Sequence, residues 1–269
     1  MPNKKIAFIA AEAAEAEAAL PGLAEAYGNA DETDADVIVA LGGDGFMLQA
    51  MHRFIGTGKA VYGMNRGSIG FLMNAYSKDG LLKRLDSAVQ SSVYPLKVSA
   101  LDMNGKSHEA IAFNEVSFLR ERHQAAKLEI SIDNRVRIQE LICDGVIVAT
   151  PAGSTAYNLS AGGPILSANL SAMVITPLCP HSLSFRPIVI KADNRLQIEC
   201  VRMNEQTTLL LDGQVTHKLK MGDVINIQKH AGQFLVVNNP LRTQWDTLAG
   251  KLNWAEKPRY NTNDSSITN

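Results

Sequence analysis

Five short segments concentrate the residue types that anion and nucleotide chemistry requires. Leu41-Gly42-Gly43-Asp44-Gly45 separates an apolar run from a helical pattern. Glycines at such a junction let backbone pass close to a ligand, and the N–H groups of a starting helix face an anion unpaired. Asp44 is the one acid in the turn, and beside a phosphate it can take a proton from an attacking hydroxyl or hold a metal ion. A tight strand-to-helix turn that Asp44 merely caps fits the same residues equally well. Gly63-Met64-Asn65-Arg66-Gly67-Ser68-Ile69-Gly70-Phe71-Leu72 follows a second apolar run. Gly42, Gly43, Asn65, Arg66 and Gly67 are the candidates for meeting a phosphate, although a long connection with Arg66 in solvent is the plainer reading of the second loop.

Phe113-Asn114-Glu115-Val116 places an amide beside a carboxylate within a β-rich run. A carboxylate suits a pair of ribose hydroxyls and an amide an adenine edge. Adjacent strand positions face opposite ways, so both reach one ligand only at a bend or a strand end; alone, the pair reads better as a solvent-facing Glu115. Asp144–Pro164 is more telling. A strand runs into a loop dense in small residues, with the hydroxyls of Ser154, Thr155 and Ser160, the Asn158 amide and the Tyr157 ring. Small residues let a planar base approach and Tyr157 can pack against it, so ligand binding is the favoured reading. The last segment, Thr176–Pro187, is stiffened by three prolines. His181 within it reads as a structural hydrogen bond between sheets.

Two regions of different pattern must hold these segments. Through residue 93 strands alternate with helices: Ile6–Ala10, then Ala11–Tyr27 interrupted by Pro21-Gly22, then Val37–Leu41. A helix with Met47, Met51 and Phe54 on one face follows, then Ala60–Met64 and a helix over Lys78–Gln90. Such alternation implies a parallel sheet covered by helices. From residue 94 to 240 short β-rich runs (Ala110–Leu119, Lys127–Ile132, Val146–Thr150, Met173–Thr176, Ile188–Lys191, Thr208–Leu211) are punctuated by Asn104-Gly105, Asp133-Asn134 and Asp212-Gly213. These dipeptides tolerate the positive φ of hairpin turns, and the pattern is that of a sheet-on-sheet domain. A helical stretch, Thr243–Trp254 within 241–257, is expected to pack back on the first domain, ahead of a frayed polar tail at 258–269.

Bulk properties narrow the class of partner. The formal net charge is −1 over 269 residues and no run of Lys or Arg marks a nucleic-acid footprint. With 46% hydrophobic residues the chain can bury a sizeable core. Three widely spaced cysteines, Cys143, Cys179 and Cys200, form neither a zinc spacing nor a disulfide framework, which points to a reducing cytoplasm. The apolar run Ile6–Ala11 is too short for a signal core, and nothing approaches the ~20 apolar residues of a spanning helix. No membrane partner is expected.

In this order, the five segments resemble the signatures of the NAD kinase family, from residue 36 to about 215 or roughly two-thirds of the chain. The GGDG turn alone is shared with phosphofructokinases and diacylglycerol-type lipid kinases; Thr150–Asn158 is the specific part. The resemblance implies an N-terminal α/β domain with a Rossmann-like parallel sheet, a β-sandwich-like C-terminal domain, and NAD between them. It also implies a homodimer or homotetramer in which a neighbouring subunit can complete the site. By position, Asp44 resembles the catalytic acid/base; Asp44, Gly45, Asn114, Glu115, Asp144, Ala152, Thr155, Ala156, Tyr157, Asn158, Leu159, Ser160 and Gln214 resemble the NAD-binding set. Phe46 stands where many members carry Thr or Ser, and Ala152 where Ser is frequent; each removes a hydroxyl. The implied reaction passes the terminal phosphoryl of ATP or polyphosphate to the adenosine ribose 2′-hydroxyl, giving NADP, with Mg²⁺ or another divalent cation offsetting charge on the donor. Two alternatives stay open: a GGDG-type sugar or lipid kinase, and a non-enzymatic NAD-binding sensor. A dehydrogenase is disfavoured, because no G-x-G-x-x-G follows Ile6–Ala10.

Overall fold

The computed structural model describes residues 4–67, 72–101, 106–182, 184–201, 207–238, 240 and 248–249. These fall into two compact units, one drawn from Met1–Met47, Tyr62–Val89 and Val237–Asn269, the other from Leu48–Val61 and Gln90–Val236. The Asn104-Gly105 turn and the 258–269 tail lie outside the described residues. So does the 241–257 helix apart from residues 248 and 249, which are helical, with Leu248 buried.

Strand β1 (Ile6–Ala10) leads through helix α1 (Ala14–Tyr27) to β2 (Val37–Gly42), and the strands pair in parallel from Ile6↔Val37 to Ala10↔Leu41. Every residue of β2 is buried, as a continuous Val/Ile/Leu run in a parallel sheet should be. Helix α1 is not interrupted at Pro21-Gly22. An interior proline costs a helix ~3 kcal/mol, but Ala16, Ala19 and Leu23 on either side of it are buried against β1 and β2. Burying Leu23 returns about 1.5–3 kcal/mol, and with Ala16 and Ala19 buried beside it packing offsets propensity.

Helix α2 (Asp44–Phe54) buries Met47, Ala50, Met51 and Phe54, a spacing of three and four that gives one apolar face. Strand β3 (Ala60–Asn65) follows. The helix expected over Lys78–Gln90 is shorter: α3 spans Leu81–Ser87, and Val89–Val93 is strand β4. Gly80, at φ 67, and Ala88, in extended backbone, delimit the helix, so amphipathic spacing continued past its real ends. These strands form one sheet in the order β1-β2-β3-β17-β4, where β17 (Phe234–Asn238) lies parallel to β3 through Leu235↔Ala60 and Val236↔Val61.

The second unit contains a sandwich of two six-stranded sheets. Strands β5 (Leu96–Leu101), β6 (Ser107–Ala112), β8 (Ala126–Ile132), β9 (Arg135–Cys143), β13 (Leu196–Cys200) and β16 (Val224–Lys229) form one, in the order β6-β5-β16-β13-β8-β9. Strands β7 (Glu115–Arg120), β10 (Gly145–Ala149), β11 (Ala172–Leu178), β12 (Ile188–Lys191), β14 (Thr207–Leu211) and β15 (Gln214–Leu219) form the other, in the order β12-β11-β10-β7-β14-β15. Alternate residues of both, among them Val98, Leu128, Ile130, Val116, Phe118, Val146, Val148 and Ile198, make one core. The expected single run Ala110–Leu119 is therefore two strands in different sheets, because the chain turns a corner at Phe113-Asn114. The hairpins read from sequence at Asp133-Asn134 and Asp212-Gly213 are present, with φ of 51, 59, 49 and 77 at the four residues.

Strand β10 is buried on both faces. Val146 and Val148 face the sandwich core, whereas Ile147 and Ala149 pack with Leu166, Ala172 and Val174 in a second cluster on the opposite face. The segment after β10 thus covers the outside of the sheet, and it carries the Thr150–Ser160 residues.

Candidate active site

In the first unit the buried strand β2 ends at Gly42 and Asp44 opens α2. The two glycine-rich segments are joined by backbone: the Arg66 N–H donates to the Gly42 carbonyl at 2.8 Å, and the Leu72 N–H donates to Asp44 Oδ1 at 3.0 Å. The Asp44 carboxylate therefore bridges two turns, which a simple cap would not do. A Cβ at Gly43 or Gly45 would meet open space, leaving their backbone approachable, while one at Gly42 would lie 2.9 Å from Phe46 Cβ. Phe46 accordingly packs on Gly42. Arg66 is held in a fixed plane: Nε donates to the Glu15 carbonyl at 3.0 Å and the guanidinium lies 4.2 Å from the Tyr76 ring centroid. Asn65 Oδ1 accepts the Gly67 N–H at 3.2 Å. Of this loop, residues 68–71 lie outside the described residues.

In the second unit the Asn114–Glu115 pair sits at the corner between β6 and β7, the strand end that two neighbouring residues need to serve one ligand. Glu115 is not solvent-facing. It is 4% exposed, its side chain on the outer face of the sheet beside Ala149, because Val116 and Phe118 take the core face. The backbone N–H of Tyr157 supports its carboxylate, yet Oε2 is buried without a hydrogen-bond partner. Burial, then the negative charge of Asp212, push its ionisation up to about 7, against the opposing pull of the Tyr157 N–H.

The Thr150–Gly163 segment is fastened to that corner. The Thr150 N–H donates to the Asn114 carbonyl at 2.9 Å, the Thr150 hydroxyl to the Phe113 carbonyl at 2.7 Å, and the Gly153 N–H to Thr150 Oγ1 at 2.9 Å. Gly153 presses so closely that an added Cβ would stand 2.0 Å from the Asn114 carbonyl oxygen. Asn158 is wholly buried and committed to the loop: Nδ2 donates to the Ser154 and Pro164 carbonyls at 3.0 Å each, and Oδ1 accepts the Thr176 hydroxyl at 2.6 Å. Thr155 is buried, its hydroxyl donating to the Ala152 carbonyl at 3.2 Å. Ala152, Ala156 and Leu159 are half-buried, and Tyr157 and Ser160 are exposed on the short helix α4 (Tyr157–Ser160). Thus Tyr157 and Ser160 present side chains outward, whereas Asn158 shapes the loop from inside. Ser154 and Thr176 share that internal work; only their polarity at buried positions hinted at it.

One candidate stands apart from this cluster. Asp144 precedes β10, and five strand residues of ~3.3 Å each put it roughly 16 Å from the end that pairs with Glu115. There Arg120 Nε donates to Asp144 Oδ1 at 2.6 Å and holds its carboxyl below the usual range. Gln214 is exposed at the start of β15, opposite Leu211. The His181 N–H donates to the carbonyl of Ile142 in β9 at 2.9 Å, a structural hydrogen bond from the end of β11 to the other sheet made through backbone, while its ring is exposed. Among the described residues no three His, Cys, Asp or Glu side chains gather into a metal cage. A lone carboxylate beside open glycines instead suits a Mg²⁺ that keeps several waters and rides on phosphates.

Two residues of the second unit that the sequence did not single out have central places. Asp212 closes the β14–β15 turn, and its carboxylate accepts the N–H groups of Phe113, Asn114 and Glu115 at 2.9, 2.7 and 3.3 Å. His52, in the last turn of α2, lies with Nε2 at 2.7 Å from the same carboxylate. Neither carried a local signal beyond the turn propensity of Asp212-Gly213.

Comparison with known proteins gives concordant matches. The ATP-NAD kinase N-terminal domain model matches residues 10–92 and the ATP-NAD kinase C-terminal domain model residues 113–239. An NAD kinase of Hyphomonas neptunium is 48% identical over 206 residues, 75% of this chain and 79% of that relative. One of Rhizobium meliloti is 52% identical over 182 residues, 68% and 69% of the two chains. Among solved structures, yeast NADH kinase complexed with NADH superposes with a TM-score of 0.82 at 23% identity, covering 97% of this chain and 90% of the other. An NAD kinase from Archaeoglobus fulgidus in complex with ATP superposes with a TM-score of 0.71, also at 23% identity, over 93% and 98%. At that identity the two structures speak for the fold.

Proposed function

From the premise that the chain belongs to the NAD kinase family, we propose how its residues divide the work of the reaction. It is a phosphotransferase that phosphorylates NAD with ATP as donor. The adenosine ribose 2′-hydroxyl attacks the terminal phosphoryl of the donor; the new O–P bond forms as the bond to the departing diphosphate oxygen breaks. Asp44 orients the hydroxyl and receives its proton late, since a carboxylate is too weak a base to remove an alcohol proton beforehand. The backbone at Gly43 and Gly45 approaches the phosphates, with Asn65, Arg66 and Gly67 on the donor side. Asp44 would also help to hold a divalent cation such as Mg²⁺ on the donor, where it would supply charge to offset that of the phosphates. Polyphosphate is a second donor of the same chemistry.

Asn114 and Glu115 hold NAD, with Thr155, Ala156, Tyr157, Ser160 and Gln214 lining the base and ribose. The observation that carries this reading is Glu115: a buried carboxylate whose Oε2 lacks a partner. Such a group is costly to the fold, and a ligand hydroxyl pair donating to it repays that cost. Asp144, roughly 16 Å away along β10, serves the site of a second copy of the chain, which makes a homodimer or homotetramer the working form. None of the three cysteines is in a disulfide, and residence in the cytoplasm, where thiols stay reduced, suits them.

A coupled assay for NADP formed from NAD, ATP and Mg²⁺, run beside Asp44→Asn, tests the assignment. The expected result is turnover with the wild type and a fall of about 100-fold or more in kcat with NAD binding retained. Near-normal turnover by Asp44→Asn would remove Asp44 from its role.

A further inference from the structure

An aspartate in a two-residue hairpin turn ordinarily serves the turn itself, because Asp and Asn tolerate the left-handed backbone found here at φ 49. Asp212 does more. Its side chain, 7% exposed, reaches a corner about one hundred residues earlier in the chain and makes no local hydrogen bond among those described. Each oxygen serves two donors: Oδ1 takes the N–H groups of Asn114 and Glu115, and Oδ2 takes that of Phe113 and His52 Nε2. In return the Asp212 N–H donates to the Glu115 carbonyl at 3.0 Å. The Phe113 ring is wedged edge-on between His52, at 4.9 Å, and Phe234, at 5.7 Å, which keeps the corner from rotating about its strands.

The corner needs such a clamp. Three consecutive N–H groups converge on one point as the chain leaves β6 for β7, so none of them can join a ladder there. Satisfying them with a neutral acceptor requires two separate groups, whereas one carboxylate has lone pairs for all three and for the histidine. The charge is buried close to a second buried carboxylate, Glu115, and raises that group's affinity for a proton. A fold that needed only a turn residue at 212 would do better with Asn or Gly, which meet the φ requirement without the like-charge repulsion.

We propose that Asp212 is a positioning residue for NAD: it fixes the backbone of Asn114 and Glu115 in the orientation that receives the dinucleotide, and His52 holds it in place. This rests on the reading that Asn114 and Glu115 bind NAD. Asp212 acts through the corner and touches neither donor nor acceptor. Its removal therefore weakens NAD without altering the donor side, and it relaxes the ionisation of Glu115. The groups facing Glu115 are the Asp212 carboxylate from the β14–β15 turn, with His52 of α2 behind it, and the Tyr157 N–H of α4. Replacing Asp212 by a neutral residue removes the one anion among them.

The experiment measures kcat and KM for NAD and for ATP, over roughly pH 5.5 to 9, for the wild type, Asp212→Asn, Asp212→Gly and Glu115→Gln, with a thermal melt of each. Both 212 variants suit the left-handed turn, so neither introduces backbone strain there. Asp212→Asn keeps one acceptor oxygen and loses the other; Asp212→Gly loses both. The expected result is a KM for NAD raised about tenfold in Asp212→Asn and further in Asp212→Gly, with KM for ATP and kcat within about twofold of wild type. The acid limb of kcat/KM for NAD moves to lower pH in both. A merely structural residue would lower the melting temperature and impair kcat and the KM values for ATP and NAD alike, and this outcome overturns the proposal. If Glu115→Gln raises KM for NAD while both 212 variants leave it unchanged, Asp212 is not a positioning residue although the NAD assignment stands. If Glu115→Gln itself leaves KM for NAD unchanged, the assignment beneath the proposal fails and the proposal with it.

Discussion

Glu115 weakens the fold at neutral pH, and Glu115→Gln should reveal by how much. The carboxylate is 4% exposed and its ionisation is pushed up to about 7 from an ordinary 4.5 by burial and by Asp212. In the unfolded chain it loses its proton near its ordinary value. Between about pH 4.5 and 7 the folded protein therefore keeps a proton that the unfolded chain has released, and stability must fall as pH rises through that window. Each pH unit is worth about 1.36 kcal/mol, so the full difference is about 3 kcal/mol, reached near pH 7 and constant above it. Glutamine has the same shape and no charge to desolvate, so the variant escapes this loss. Thermal melts of both proteins at intervals from about pH 5 to pH 8.5 should nearly coincide at the acid end and separate progressively, with Glu115→Gln more stable. At about 2 °C or more per kcal/mol for a unit of this size, the separation at pH 8 is about 6 °C or more. The same variant should bind NAD more weakly, because its amide cannot accept a pair of ribose hydroxyls as a carboxylate does. Melting curves that run parallel across the pH range would refute the reasoning, since they would mean that Glu115 ionises alike in the folded and unfolded chains.

Three further substitutions test the loops around it. Gly153→Ala drives a Cβ to 2.0 Å from the Asn114 carbonyl oxygen, backbone that cannot give way cheaply, and should cost about 1–3 kcal/mol in denaturant titration together with a raised KM for NAD. Gly45→Ala is the converse: the added methyl meets open space near the start of α2, so the melt should hold or rise by the equivalent of about 0.5–1 kcal/mol while kcat/KM falls. Unchanged turnover in that variant would mean that no phosphate approaches this backbone. Thr176→Val removes the buried hydroxyl that donates to Asn158 Oδ1, leaves that oxygen unsatisfied, and should lower stability by about 1–3 kcal/mol by the same titration.

What the sequence conveyed was local, and the reason is physical. Val37–Leu41 announces a buried parallel strand because every position is apolar, and Asp133-Asn134 announces a hairpin because few other residues accept its backbone. Thr150–Asn158 could be singled out because polar residues set among small ones are unusual for a surface loop. Its internal division of labour was hidden: nothing adjacent to Asn158 shows that Thr176 and Pro164 will consume its amide and leave Tyr157 and Ser160 to face outward. Lys78–Gln90 misled because amphipathic spacing does not end where Gly80 and Ala88 end the helix. Glu115 misled in the opposite sense. A carboxylate is ordinarily solvated, and what buries this one is a segment from Thr150 onward that folds over the outer face of the sheet. The same holds for Asp212, whose partners at 52 and 113–115 lie in other elements of the chain. A periodicity of two or of 3.6 reports which face a residue occupies but not which distant backbone its side chain will satisfy. The groups that touch a ligand can thus be nominated from composition, whereas the groups that aim them follow only from the pairing of strands distant in sequence. That places Asp212, rather than any further loop residue, as the position where changes remote from the ligand should alter NAD affinity.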